Sequence, residues 1–178
     1  MKKSISYRQM MGFLFTSVLG TFLHFLFDLT GGSLPAALVS AVNESIWEHM
    51  KLLFYPIMLF ALAEYRTWEK EKTGFWCVKL KGILLGLVLI PVLYYTYLGA
   101  WGKQITWFNI AIYAIAVLAS FLLETRLRRK GRLEAGWLQV LGLAVLLELA
   151  VLFVLWTYEP PRIPLFQDPR TLTYGIRF

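Results

Sequence analysis

Leu143-Ala144-Val145-Leu146-Leu147-Glu148-Leu149-Ala150-Val151-Leu152-Phe153-Val154-Leu155-Trp156 holds a single ionisable side chain, and its flanks are almost as apolar. A run of about 20 such residues is the length that crosses a hydrocarbon core as a helix. Similar runs recur along the chain, which is 58% hydrophobic and 16% charged, with a mean hydropathy of +0.58. Soluble domains carry about 25% charged residues. The sequence therefore reads as an all-α, polytopic membrane protein, a bundle of five transmembrane helices.

Working outward from that stretch, spans are expected at about 7–29, 33–68, 76–97, 105–123 and 133–158, making one transmembrane domain over residues 1–158. Thr30-Gly31-Gly32 is a turn, Ser33 an N-cap and Pro35 a first-turn proline, so 33–68 reads as one helix. Pro56 and Pro91 predict kinks. Residues 159–178 contain Pro160, Pro161, Pro164 and Pro169, which favour extended backbone. Leu165, Phe166, Tyr174 and Ile176 give this tail apolar anchors. It is expected to be an ordered lid over an outer cleft, or else a docking strip.

Five spans put the termini on opposite sides. Lys2, Lys3, Arg8, Arg66, Lys70, Lys72, Lys79, Lys81 and the run Arg126, Arg128, Arg129, Lys130, Arg132 then share one side. Lys103, Arg162, Arg170 and Arg177 fall on the other. The positive-inside rule predicts a cytoplasmic N-terminus and an external tail. The net charge of +7 is thus read as setting orientation, with no nucleic-acid partner. The basic run suits anionic lipid on the cytoplasmic leaflet. Met1-Lys2-Lys3 looks like a signal-peptide n-region, but the apolar run after Arg8 is too long for a cleavable one. The single cysteine, Cys77, excludes an intrachain disulfide and a cysteine metal cluster.

The polar residues inside the spans carry the functional signal, because each needs a partner, water or an ion there. Taken as helix, Val42-Asn43-Glu44-Ser45-Ile46-Trp47-Glu48-His49-Met50-Lys51 puts Glu44, Glu48 and Lys51 on one face and His49 beside them. His24 and Asp28, four apart, share a face of the first helix. Measured from each helix's inner cation, His24, Glu48, His49, Asn109 and Glu148 lie about 24–27 Å up, in one outer-half layer. Tyr94, Tyr95 and Tyr97 end their helix at similar height, as cleft lining or as an interfacial belt.

Imidazole and carboxylate are ligands that zinc or manganese accept. The candidate ligands are His24, Asp28, Glu48 and His49, with Glu44 as base or supporting partner. There is no H-E-x-x-H pair, and on an ideal helix His49 points about 90–100° away from Glu48. A metal-free network is the alternative, Lys51 pairing with Glu48 or Glu44 and His24 with Asp28; a purely structural polar knot is the third. Asn43, Asn109, Glu148 and Tyr95 are candidate cleft residues.

The expected function is a membrane-embedded, metal-dependent hydrolase or transferase acting on a lipid or lipid-linked substrate at the outer leaflet. Glu44 or Glu48 would be the general base, and Lys51 would stabilise developing charge or a head-group phosphate. A transporter or ion- or proton-coupled carrier subunit, and an assembly or accessory protein, are the alternatives. Membrane lipid is the expected partner, with a homo-oligomer or partner subunit also possible from the sequence.

Asn43-Glu44-Ser45-Ile46-Trp47-Glu48-His49, the preceding His24-x-x-x-Asp28, and Pro160-Pro161…Pro164-Leu165-Phe166…Asp168-Pro169…Tyr174-Gly175-Ile176 resemble a family of small bacterial integral membrane proteins classed as a domain of unknown function. The resemblance spans nearly the whole chain and implies a bacterial inner-membrane location; it brings no activity. Two histidines are too few for the three-histidine zinc site of ceramidase-like membrane hydrolases.

Overall fold

The computed structural model describes residues 7–67, 74–130 and 136–176. Its helices are α1 (Tyr7–Leu29), α2 (Leu34–Val39), α3 (Ile46–Thr67), α4 (Phe75–Trp101), α5 (Thr106–Lys130) and α6 (Gly136–Tyr158), followed by a 3-10 turn, Pro164–Phe166. The protein is all-α, and α1, α3, α4, α5 and α6 are each long and apolar enough to cross a membrane. Pro56 and Pro91 lie inside continuous helices. α4 runs on past Tyr97 to Trp101, where Gly102, at φ 68°, closes it by donating its N–H to the Leu98 carbonyl.

Lipid tails are as apolar as leucine, so these helices associate through close packing and polar contacts rather than by escaping water. Gly82 and Gly86 occupy one face of α4 against α5. A Cβ on Gly82 would stand 2.8 Å from Glu124 Cγ, and one on Gly86 2.8 Å from Leu53 and 3.3 Å from the Ala116 carbonyl oxygen. α3 is central: 67% of its apolar window is buried, against 17% for α6. The rim, including Val18, Ile110 and Val140, turns large apolar side chains outward, as a lipid-facing surface must.

The largest departure from the sequence reading lies within 33–68. This stretch is two helices, broken over 40–45, and local side-chain bonding is the reason. The Ser45 N–H donates to Asn43 Oδ1 at 2.9 Å, the Glu48 N–H to Ser45 Oγ at 3.3 Å, and the Val42 N–H to Glu48 Oε2 at 3.0 Å. These bonds satisfy donors that a continuous helix would have used, so α3 begins afresh at Ile46. Ser45-x-x-Glu48 before an apolar run is a helix-start signature. Glu44 is consequently outside the helix that carries Glu48 and Lys51.

Residues 159–176 fold back over the end of the bundle where α3 begins and α6 stops. Phe166 is buried with its ring 4.8 Å from Trp47 and 5.3 Å from Trp156. Asn43 Nδ2 donates to the Gly175 carbonyl and the Ile176 N–H to the Thr157 carbonyl, both at 3.0 Å. Asp168 accepts the Arg170 N–H at 2.7 Å, fixing the turn that presents Arg170.

At the opposite end, Arg8, Arg66, Lys81, Arg126 and Arg129 belong to the basic side read from the sequence; Lys2, Lys3, Lys70, Lys72, Arg132 and Arg177 lie outside the described residues. Lys79 differs from that reading. It is fully buried, its Nζ 2.9 Å from Glu64 and 2.7 Å from Glu124, because carboxylates on α3 and α5 draw it into the bundle.

Candidate functional site

The break at 40–45 sends consecutive polar residues to opposite sides of α3's first turn. On the side facing α2 and α6, Glu48 and Lys51 form an ion pair at 2.6 Å. Lys51 Nζ also donates to the Ala37 carbonyl at 3.0 Å and to Thr157 Oγ1 at 2.8 Å, while that hydroxyl lies 3.1 Å from Glu48 Oε1. All three side chains are buried. The network joins α2, α3 and α6 and is closed on itself. Glu48 and Lys51, expected as base and charge stabiliser, are therefore turned to one another.

The other side faces α1. His24, Glu44 and His49 each offer one ligand-type atom, and these atoms all lie within 4.8 Å of one another. The His24 and His49 rings are 5.2 Å apart between centroids. His49 Nδ1 is 2.8 Å from the Ser45 carbonyl oxygen. A carbonyl only accepts, so Nδ1 carries a proton; in the neutral ring Nε2 then holds the lone pair, the arrangement a metal-binding imidazole uses. Nε2 points at Glu44 Oε2, 3.6 Å away. His24 Nδ1 is buried without a hydrogen-bond partner among the described residues. Glu44's second oxygen, Oε1, lies 3.3 Å from Arg170 of the tail.

These groups open onto a cavity of about 480 Å³ between α1, α3, α4 and α5. Tyr113 forms its floor, its hydroxyl 2.9 Å from the Thr16 carbonyl and 3.1 Å from that of Leu52. Gly20 makes this possible, because a Cβ there would stand 2.6 Å from the Leu52 carbonyl and overlap Tyr113. Asn109 lines the wall, accepting from the Tyr97 hydroxyl; Gln104 and Tyr94, hydrogen-bonded together, line it nearer the tail.

Of the residues named from sequence, His24, Glu44, His49 and Asn109 meet at this cavity. Asp28, one turn beyond His24, is exposed and stands outside the three-residue group. Asn43 holds the tail instead of lining the cavity. Tyr95 and Glu148 point outward from α4 and α6. Tyr94, read from the sequence as cleft lining or interfacial belt, lines the cavity, and Arg170, Gln104 and Tyr113 complete the site without having been named as part of it. Arg170 was legible only through its turn, Asp168-Pro169-Arg170.

Because the Ser45 hydroxyl caps α3 by accepting the Glu48 N–H, Ser45→Ala is expected to lower stability by about 1 kcal/mol. Thermal unfolding in detergent measures this, and no change would mean that the cap does not hold the break.

The chain belongs to the family described as a family of unknown function (DUF6512), which it matches over residues 2–176. No curated protein and no solved structure matches it. The functional reading therefore rests on the geometry of the cavity.

Proposed function

We propose that this protein is a membrane-embedded, metal-dependent hydrolase or transferase, with His24, His49 and Glu44 as the ligands of a zinc or manganese ion. The observation that carries the reading is the convergence of these three ligand atoms on one cavity, with His49 Nδ1 held against the Ser45 carbonyl and Nε2 turned to Glu44. Two imidazoles and one carboxylate, with a position left open, are a donor set found at catalytic zinc. A bound divalent ion would supply an activated water and polarise the substrate oxygen. In hydrolysis the water oxygen joins the acyl carbon or phosphorus, the ester bond breaks, and the water's proton leaves with the departing alcohol. Arg170 keeps Glu44 in place from its far oxygen.

A lipid or lipid-linked substrate fits a cavity whose walls are mostly apolar. The basic residues at the opposite end favour placing the cavity in the outer half of a bacterial inner membrane, tail outside.

Purified protein titrated with zinc and manganese is expected to bind one equivalent near the histidines and to melt at a higher temperature when loaded. His24→Ala and His49→Ala should each weaken metal binding by about 100-fold or more and abolish hydrolysis of ester or phosphoester amphiphiles. A protein that stays metal-free by elemental analysis, with a melting point indifferent to both ions, would overturn the metal reading.

A further inference from the structure

The cavity reaches the surface between α1 and α5. Thr21 and Phe25 of α1 and Thr106 and Ile110 of α5 line it while also facing outward, Phe25 at 53% and Ile110 at 65% exposure. α1 and α5 approach closely at Gly20 and Tyr113, and in the next turns toward the tail both helices line the cavity, which makes this seam its way out to lipid in the reading given above. An amphiphile with its chain in this seam would bring its head group between His24 and the tail.

At that point stands Arg170, the one permanently charged cation lining the cavity among the described residues. Among the described residues only Glu44 contacts its guanidinium, at 3.3 Å, and its side chain is 65% exposed. A guanidinium presents several N–H groups in a planar fork that suits phosphate. Glu44 spans from Arg170 on one oxygen to His49 on the other. One anionic group can therefore touch the arginine while facing the histidines.

Charge narrows the ligand further. Arg170 and a divalent ion bring three positive charges, and Glu44 cancels one. A phosphate monoester carries about −1.5 to −2 at neutral pH and matches the remainder; a zwitterionic head group does not. We propose that Arg170 is the head-group-binding residue of this cavity, and that its ligand is a lipid phosphate monoester whose chain leaves between α1 and α5. This rests on the reading of the cavity as a lipid-facing reaction chamber and names its substrate class.

The test uses the full chain in detergent, with binding measured calorimetrically for dioctanoyl phosphatidic acid, dioctanoyl phosphatidylcholine, dodecanoate and inorganic phosphate. Phosphatidic acid is expected to bind best. Arg170→Gln should weaken it about tenfold or more, and Arg170→Lys by less. Arg162→Gln, which removes an exposed tail cation away from the cavity, should leave it unchanged. Equal binding of phosphatidylcholine or dodecanoate would overturn the phosphate assignment, and equal binding of inorganic phosphate the lipid one. Wild-type affinity in Arg170→Gln would overturn the role of the arginine. Repeating the series without metal separates the two readings. Arginine-dependent phosphatidic acid binding by a chain that takes up no metal would remove the metal site, and with it the charge match to a monoester, and leave Arg170 as the head-group-binding residue. Metal binding with arginine-independent lipid binding would do the reverse.

Discussion

Lys51→Met is expected to destabilise the bundle by about 3–5 kcal/mol, among the largest effects available to a single substitution here. The ammonium is fully buried, 2.6 Å from Glu48, and donates to a carbonyl of α2 and a hydroxyl of α6. Removing it strands the Glu48 carboxylate, which is 2% exposed, without its counter-charge. Glu48→Gln strands the ammonium by the same reasoning and should cost a similar amount. The double variant, Glu48→Gln with Lys51→Met, leaves no buried charge and is expected to recover most of the loss, since uncharged groups of similar volume often replace a buried pair at little net cost. A thermodynamic cycle from thermal unfolding in one detergent measures the coupling. Additive losses would show that the two side chains act independently. Metal affinity, read alongside, should fall in the single variants, because the same contacts hold the break that delivers Glu44 to the histidines. It should return in the double variant.

That coupling shows which parts of the molecule a reader of the sequence could reach. Hydropathy sums over some twenty residues, so the helices of Tyr7–Leu29 and Gly136–Tyr158 stand out whatever their local detail. The break at 40–45 depends on three hydrogen bonds from Asn43, Ser45 and Glu48, and such bonds vanish in any average over a window. Depth along a helix is likewise readable from rise per residue, and it brought His24, His49 and Asn109 to one level. Azimuth is not. Glu148 shares that level but faces outward from α6, and Glu48 is turned toward Thr157 and away from the cavity. Arg170 enters from a tail whose path is set by Phe166 seated against Trp47 and Trp156, a tertiary contact with no local periodicity. Lys79 reads by composition as one more cation at the basic start of its helix, and only the approach of α3 and α5 makes it a core residue.

Lys79→Met should be as damaging as Lys51→Met, about 3–5 kcal/mol, but with an asymmetric pattern among its partners. Lys79 Nζ bridges Glu64 on α3 and Glu124 on α5, and Arg128 lies 3.4 Å from Glu64 and 3.9 Å from Glu124. Among the described residues, two carboxylates thus face two cations. Deleting the lysine removes the buried counter-charge that both carboxylates share, while Arg128 beside them is itself 16% exposed. Glu124→Gln alone removes one negative charge but leaves Lys79 against Glu64, so it should cost clearly less than Lys79→Met. Combining Lys79→Met with Glu124→Gln restores an equal count, Glu64 against Arg128, and should regain much of the lost stability. Gly82 adds an independent check: its missing Cβ is what lets Glu124 reach across, so Gly82→Ala should reproduce part of the Lys79→Met loss. Unfolding midpoints of the four variants decide the matter. If Glu124→Gln proved as damaging as Lys79→Met, charge balance would not govern this end of the bundle. If metal and phosphatidic acid binding at the distant cavity were unchanged in the double variant, the cluster would be a helix lock. If both bindings were lost there, the cluster would be coupled to the cavity.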